Sequence, residues 1–441
     1  MRETLVKTEE FKDSAVGRIP KDWDVRPLRD LTDSPDSITY GVLKPGEYIP
    51  DGIPLLQIQD VIHGNIEPSK LHRISKKLDA QYARTRLYGG EIVMSLVGTI
   101  GKIAQIPGSM AGANLHRNLA RIPISRGNSS RFVFHYLQSQ TVQEAIAATT
   151  FGSTQSLLNL TDLRELLVAV PPPQEQQTIA NIIDTMDEAI AHTSSLIAKL
   201  KQMKAGLLHD LLTRGLDENG ELRDAIAYPE QFKDSPLGRI PKDWETGVLG
   251  DVVDPNRPIV YGILMPGYGY PGGIPVVKVK DIINGKIQTS DLLLTSPEID
   301  NNYRRSRLEP GDLLFTIRGT VGRMAFVPEH LRGANITQDT ARLAITNANP
   351  RFVRQYLEMP KPQAFIELHT IGQAVRGINL RDVRLIPLVV PPTSEQLKII
   401  DICDTYDNRI RAEEAYRDKL KLQKQGLMHD LLTGKVRLKN A

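Results

Sequence analysis

The chain has 441 residues, 40% hydrophobic and 24% charged, with a formal net charge of +3. That length exceeds one ordinary core and predicts two or more domains, while a charge so near balance permits a polyanionic partner without demanding one. The single cysteine, Cys403, excludes an intrachain disulfide framework and a multi-cysteine metal site. The N-terminus MRETLVKTEE lacks the apolar core of a signal peptide, and no window of about 20 residues is continuously apolar, as a membrane span requires. A reducing cytoplasm is the expected compartment.

Read in order, the chain is a tandem duplication. FKDSAVGRIPKDW (Phe11–Trp23) differs at two positions from FKDSPLGRIPKDW (Phe232–Trp244). YGVLKPGEY (Tyr40–Tyr48) returns as YGILMPGYG (Tyr261–Gly269), and DGIPLLQIQDV as GGIPVVKVKDI, with Gly273 the counterpart of Gly52. YARTRLYGGEIVMSLVGTIGKIAQIP (Tyr82–Pro107) returns as YRRSRLEPGDLLFTIRGTVGRMAFVP (Tyr303–Pro328), and GANLHRNLARI (Gly112–Ile122) as GANITQDTARL (Gly333–Leu343). Within the first copy, short β-branched runs at Ile53–Ile58, Glu91–Val97 and Lys102–Ile106 predict strands, separated by Gly, Pro and Asn. GTIGK and GTVGR predict tight turns between paired strands. Arg131–Thr149 has helical spacing; a Gly-led loop, Gly152–Gln155, and a short helix or strand around Leu163 follow. The expected class is α+β, each copy a mostly antiparallel β domain with a few helices.

Each copy closes on a long helix, Pro171–Gly215 and Pro391–Gly434. Prolines precede each start, Thr393 and Gln396 have capping-box spacing, and the glycines mark the stops. Apolar residues recur at steps of four and three, as in Ile179, Ile183, Met186 and Ile190. About 40 residues at about 1.5 Å each give a rod of roughly 60 Å. Such rods either pair as a coiled coil or lie on their own domains. Cys403 falls on the apolar seam and is expected to pack there. Thr193, Lys204, Glu413, Arg417 and Lys424 are polar seam residues. The expected divisions are domain 1–170, rod 171–215, linker 216–230, domain 231–390, rod 391–434 and tail 435–441.

Enzyme signatures fail. GTIGK is too short for a phosphate loop, and Ile103 stands where that loop carries Ser or Thr. Asp51 with Gln57 and Gln59 lacks the carboxylate and lysine of a nuclease metal site, and Gly273 replaces Asp51 in the second copy. VPPPQ and VPPTS lack the Asn or Asp and the aromatic of an amino-methyltransferase loop. No His pair has zinc-ligand spacing; His209 and His429 read as helix-surface or packing residues rather than ligands. No catalytic or metal-binding residue is expected.

Two similar, unequal modules suit a bipartite target such as duplex DNA, whose features repeat at fixed intervals. Residues alike in both copies are candidates for the fold or for phosphate contact, which carries no sequence information. These are Arg84, Arg86, Thr99, Lys102 and Asn114, with Arg305, Arg307, Thr320, Arg323 and Asn335. Polar positions that differ are candidates for base readout, since Arg and Lys suit guanine edges and Asn and Gln suit adenine edges. Gln57 and Gln59 face Lys278 and Lys280, and Val97 faces Arg318. His116, Arg117 and Asn118 face Thr337, Gln338 and Asp339. Ser153, Thr154 and Gln155 face Gln373, Ala374 and Val375, with Arg376 following.

The ordered set of these motifs, in duplicate, resembles the specificity subunits of type I restriction–modification systems. The resemblance rests on F-K-D-S-x-x-G-R-I-P-K-D-W, R-L-x-x-G-[ED]-[IL], G-T-[IV]-G-[KR], G-S-T-Q-S-L-L-N-L, V-P-P-x-x-E-Q and L-x-H-D-L-L-T. Unit two departs at G-Q-A-V-R-G-I-N-L. The family implies two target recognition domains joined by two long helices that pair antiparallel. Each domain would read half of an interrupted double-stranded DNA target. The helices would set the spacer and dock two methyltransferase subunits. Two motor–nuclease subunits would complete the enzyme. S-adenosylmethionine, ATP and magnesium would belong to those partners, and this chain would bind no cofactor. The alternative is a protein–protein scaffold with two ligand-binding domains and no direct DNA readout.

Overall fold

The computed structural model describes residues 3–7, 10–34, 37–62, 65–66, 71–150, 157–373 and 375–440. The chain forms two compact units, Met1–Ser195 with Glu413–Ala441, and Leu196–Ala412. They are called units 1 and 2 below. Among the described residues, no helix is long and apolar enough to cross a membrane.

Unit 1 is built around an antiparallel sheet ordered Ile103–Gln105, Ile92–Ser95, Leu119–Ile122, Thr39–Tyr40. Strand Ile92–Ser95 is buried along its whole length, so its two faces serve two cores. Ile92 and Met94 pack with Phe132 and Leu163, while Val93 packs with Leu56 and Leu115. That is the period of two expected of a strand. A second sheet places Ile53–Leu56 between His72–Ile74, antiparallel, and Asn114–Leu115, parallel. Unit 2 repeats the plan: Leu313 and Phe315 face one core and Leu314 the other. The expected turns are present, with Gly98 and Gly101 at φ 78° and 79°, where a side chain would be strained. The Ser95 hydroxyl donates to the Thr99 carbonyl and accepts from the Lys102 amide; Thr316 does the same across its turn.

The strands are shorter than the β-branched runs, and the single helix expected over 131–149 is two, Ser130–Gln138 and Gln140–Thr150. Ser139 between them is extended. In unit 2 the same break falls at Glu358 and Met359, just before Pro360, which opens the second helix, a position proline favours. The segment around Leu163 is a helix, Leu160–Glu165, feeding strand Leu167–Val170.

The rods span Pro173–Leu211 and Thr393–Leu432 and pair antiparallel as a coiled coil. In unit 1, Ile179 and Ile183 share a core with Leu431 and Leu432 from the other rod. In unit 2, Leu208 and Leu211 pack with Ile399, Ile400 and Cys403. Cys403 is buried, which pushes its thiol up to about 11. Thr393 sits inside the first turn, so it is not a cap, and Gln396 does not reach back to it. Gln396 donates to the Pro391 carbonyl and accepts from the Asn349 amide. Gln176 does the same with Pro171 and Ser129.

The preceding acids tie each rod to the K-D-W segment. Glu175 accepts from the Trp23 indole at 3.1 Å and from Arg437 at 2.7 Å. Glu395 accepts from the Trp244 indole at 2.9 Å and from Arg223 at 2.7 Å. The segments expected as linker and tail therefore do matching work. Arg223 lies in the first and Arg437 in the second, and strand Val436–Asn440 also pairs with Glu3–Lys7.

Candidate nucleic-acid interface

Five segments far apart in sequence meet on one surface of unit 1, braced by backbone hydrogen bonds. Loop residue Val42 donates to Leu115, and Arg117 donates back to Val42, at 2.7 and 2.9 Å. His116 donates to Leu56, Leu96 to Asn118, and Leu158 to Leu96, all at 2.8–2.9 Å. Gly41 is where this brace is tightest: an added Cβ would lie 1.6 Å from the Leu115 oxygen. Unit 2 repeats each bond: Ile263 donates to Ile336, Gln338 to Ile263, Thr337 to Val277, Ile317 to Asp339 and Ile378 to Ile317. Gly262 repeats the close approach, at 1.9 Å from the Ile336 oxygen.

This surface brings together Gln57, Thr99, His116 and Arg117 in unit 1. In unit 2 it brings together Lys278, Arg318, Thr320, Gln338 and Arg376. Thr99, Arg117, Arg318 and Thr320 are exposed, while Gln57, His116, Lys278 and Gln338 are half-buried. Thr337 is buried, with its hydroxyl unpartnered. Arg376 is paired with Glu367 at 2.5 Å, and its carbonyl accepts from the Gly319 amide. Gln373 is exposed on the same short loop. Burial, then the neighbouring Arg117, holds the His116 imidazole below its ordinary range. Its Nδ1 accepts from the Asn118 amide at 3.3 Å. A neutral ring there offers Nε2–H outward as a donor. Gln59, Lys102, Lys280 and Arg323 are exposed on the adjoining turns, Arg323 reaching the Ile282 carbonyl and Lys280 lying 3.9 Å from Asp291. Ser153, Thr154 and Gln155 lie outside the described residues.

Two pairs of candidates have a different occupation. Asn114 and Asn335 are fully buried. The Asn114 amide donates to Asp79 and the Tyr82 carbonyl and accepts from Thr85 and the Leu115 amide. Asn335 makes the same four bonds to Asp300, Tyr303, Ser306 and Ile336. An amide side chain has no more to give, so neither is available to a phosphate. Arg86 and Arg307 hold the far oxygens of the same aspartates, Asp79 and Asp300. Arg84 and Arg305, by contrast, are exposed and make no ion pair among the described residues.

Sequence reading missed the apolar side chains on the surface loop. Tyr40, Leu43 and Tyr48 are about half exposed, as are Tyr261 and Leu264, while Met265 and Tyr268 reach 77% and 108%. Large apolar residues set among Gly and Pro, with no period of two or 3.6, were the available signal. Leu43 and Val97 help line a depression of about 730 Å³ with Arg117 and Asn118; Arg318 takes the place of Val97 in unit 2.

A doubled α+β module on an antiparallel helix pair, with the same braced loops presented by each copy, defines a class of two-module protein. The chain belongs to the type I restriction modification DNA specificity domain family, whose model matches residues 20–202 and 241–422. It is 27% identical to the putative MjaX specificity subunit of Methanocaldococcus jannaschii over 98% of both chains. It is 28% identical to the EcoBI specificity subunit of Escherichia coli, over 90% of this chain and 81% of that one. A solved chain from a study of type I R-M complex assembly has the same fold, at TM-score 0.57 and 18% identity, covering 95% of this chain and 99% of that one. The type I S subunit from M. genitalium matches at TM-score 0.51 and 17% identity, over 93% and 96%.

Proposed function

We propose that this chain is the non-catalytic DNA-reading subunit of a cytoplasmic type I restriction–modification enzyme. Each unit reads one half of an interrupted duplex target. The rods set the unread spacer and dock two methyltransferase subunits, and two motor–nuclease subunits join them in the full complex. S-adenosylmethionine, ATP and magnesium are held by those partners and not by this chain. One observation carries the reading: the braced surface occurs twice, with its backbone bonds repeated and its polar side chains changed. Repeated bonds preserve a reading frame; changed side chains read different bases.

The test is a transplant of residues 25–160 from another such subunit, followed by mapping of methylated adenines in the genome. One half-site is expected to change, with the other half-site and the spacer retained. An unchanged site list would end the proposal.

A further inference from the structure

Unit 2 carries a depression of about 580 Å³ beside strand Val260–Tyr261, lined by Arg257, Arg304, Arg305, Arg307, Arg332 and Arg342. Unit 1 has Asp36, Ala83 and Ala111 where unit 2 has Arg257, Arg304 and Arg332. Half of these arginines are therefore peculiar to one copy. Three are neutralised: Arg257 by Asp312 and Glu309, Arg307 by Asp300, and Arg332 by Glu329. Arg304, Arg305 and Arg342 have no carboxylate partner among the described residues.

Arg342 is the informative member. Its counterpart Arg121 is satisfied, with Nε and Nη2 donating to Glu91 at 3.1 and 3.0 Å. In unit 2 the acid is Asp312, one methylene shorter, and both its oxygens are taken by Arg257 at 2.9 and 2.7 Å. Arg342 keeps one bond, to the Pro258 carbonyl at 3.0 Å, and its Nε has no partner. It is 2% exposed; Asp312, Asp254 and Glu309, which also lines the depression, attract it but none is bonded to it, and a buried guanidinium so incompletely paired is costly. Burial, and then the charge of Arg257, lower its affinity for its proton. An anion in the depression would offset that cost.

We infer that this arginine depression is a phosphate-binding site, with Arg304 and Arg305 at its rim and Arg342 at its floor. Guanidinium groups match phosphate oxygens two at a time. The inference rests on the DNA-reading proposal for its source, the backbone phosphate of bound duplex; free phosphate has the same chemistry. Unit 1 has Ala83 and Ala111 in place of Arg304 and Arg332, and its Arg121 is paired with Glu91, so the two half-sites differ in electrostatic footprint.

The test compares the full chain, assembled with its methyltransferase partners, with a variant carrying Arg304→Ala and Arg305→Ala. Both side chains are exposed, so folding is retained. The slope of log affinity against log salt is expected to shrink by about 2, close to one counterion per contact, with the methylated sequence unchanged. In a second arm, calorimetry follows inorganic phosphate binding to the full chain. An unchanged slope with tenfold weaker phosphate binding by the variant supports the same site with free phosphate as its ligand. An unchanged slope with unchanged or absent phosphate binding overturns the inference. If the assembled complex has no salt-dependent DNA affinity, the DNA-reading proposal falls, and the phosphate arm still decides the site.

Discussion

Unit 1 fastens helix Ser130–Gln138 to a rod through Arg131, His135 and Asp184; unit 2 uses Arg351 and Asp404 for the same purpose, with Gln355 at the position of His135. Arg131 reaches both oxygens of Asp184 at 2.7 and 2.9 Å, and Arg351 is paired with Asp404. The next turn repeats too: Lys424 meets Asp187 at 2.6 Å, and Lys204 meets Asp407 at 2.8 Å. Among the described residues, only in unit 1 does such a group, His135, Asp184 and Asp187, bring ligand atoms within 4.8 Å of one another, close enough to hold a metal ion. The second copy explains the cluster differently. There an amide replaces the imidazole, while the arginine and lysine pairs persist. Both carboxylates already have a cation, so the group is an anchor, and the histidine is its variable part. Duplication acts here as a built-in control: what recurs holds the fold, and what differs is free for another role.

That comparison breaks most visibly at the acids of V-P-P-x-x-E-Q. Glu395 and its partner Arg223 are 7% and 11% exposed, against 11% and 27% for Glu175 and Arg437. Glu395→Gln leaves the buried Arg223 guanidinium with only the half-exposed Asp243, at 3.1 Å, and also weakens the bonds to Trp244 and the Leu216 amide. It is expected to cost about 3 kcal/mol or more, and Glu175→Gln less. Urea midpoints of the two variants measure the difference; equal losses would mean that the more exposed pair is as desolvated as the other.

His135 makes the units differ with pH. Burial pushes its imidazole down to about 4, more than the Asp184 hydrogen bond restores. The neutral ring donates from Nε2 to Asp184 at 2.7 Å, since an ionised carboxylate only accepts. The unfolded chain takes up a proton near pH 6.5 that the folded chain refuses until about pH 4. Stability is therefore lost as pH falls through that window, by about 3 kcal/mol in all. His135→Gln, which gives unit 1 the residue of unit 2, is expected to flatten the decline. A variant whose urea midpoint still tracks the parent between pH 6.5 and 4 would place the proton uptake elsewhere.

The two asparagines test the opposite claim, that recurrence means scaffold. Asn114→Ala and Asn335→Ala each leave an aspartate oxygen, a hydroxyl and backbone groups without partners, at about 2 kcal/mol apiece. Thermal unfolding is expected to fall alike in both, with no change in the methylated sequence. A changed half-site would return these residues to the interface.

Legibility followed the range of the interaction. The duplication and the rods were readable because their signals are local: repeated strings, and apolar steps of four and three. The turns at GTIGK and GTVGR were readable because glycine declares its φ. Asn114 was not, because Asp79 and Tyr82, more than thirty residues earlier, decide whether its amide faces in or out. The two-helix break at Ser139 had no proline to announce it, whereas Pro360 did so in the other copy. The reading surface was half legible. Its polar members stand out as differences between copies, but its exposed Tyr40, Tyr261 and Met265 lie in Gly- and Pro-rich runs with no strand or helix period to mark their face. Arg342 differs from Arg121 through the shorter acid beside it and through Arg257, eighty-five residues earlier, which occupies both oxygens of that acid.

The smallest expected effect concerns Lys204 and Lys424, which the heptad pattern left unexplained. As unpaired seam lysines they would face a partner subunit, and leucine there would stabilise the isolated chain. Instead each finds an aspartate on the other rod within its own unit. Their side chains are 19% and 18% exposed, the aspartates 34% and 36%, so water screens both pairs. Lys424→Leu gains apolar seam contact and loses an ion pair worth about 1 kcal/mol or less, leaving Asp187 half-buried and alone. The balance is expected to be a net loss of a few tenths of a kcal/mol, shrinking in high salt. Lys424→Leu with Asp187→Leu removes both charges and is expected to exceed the parent in stability. Denaturation of the four chains in a double-mutant cycle at low and high salt isolates the pair. A coupling energy near zero at low salt would show that the lysines are solvated despite the contact, and would free them again for the surface where a partner docks.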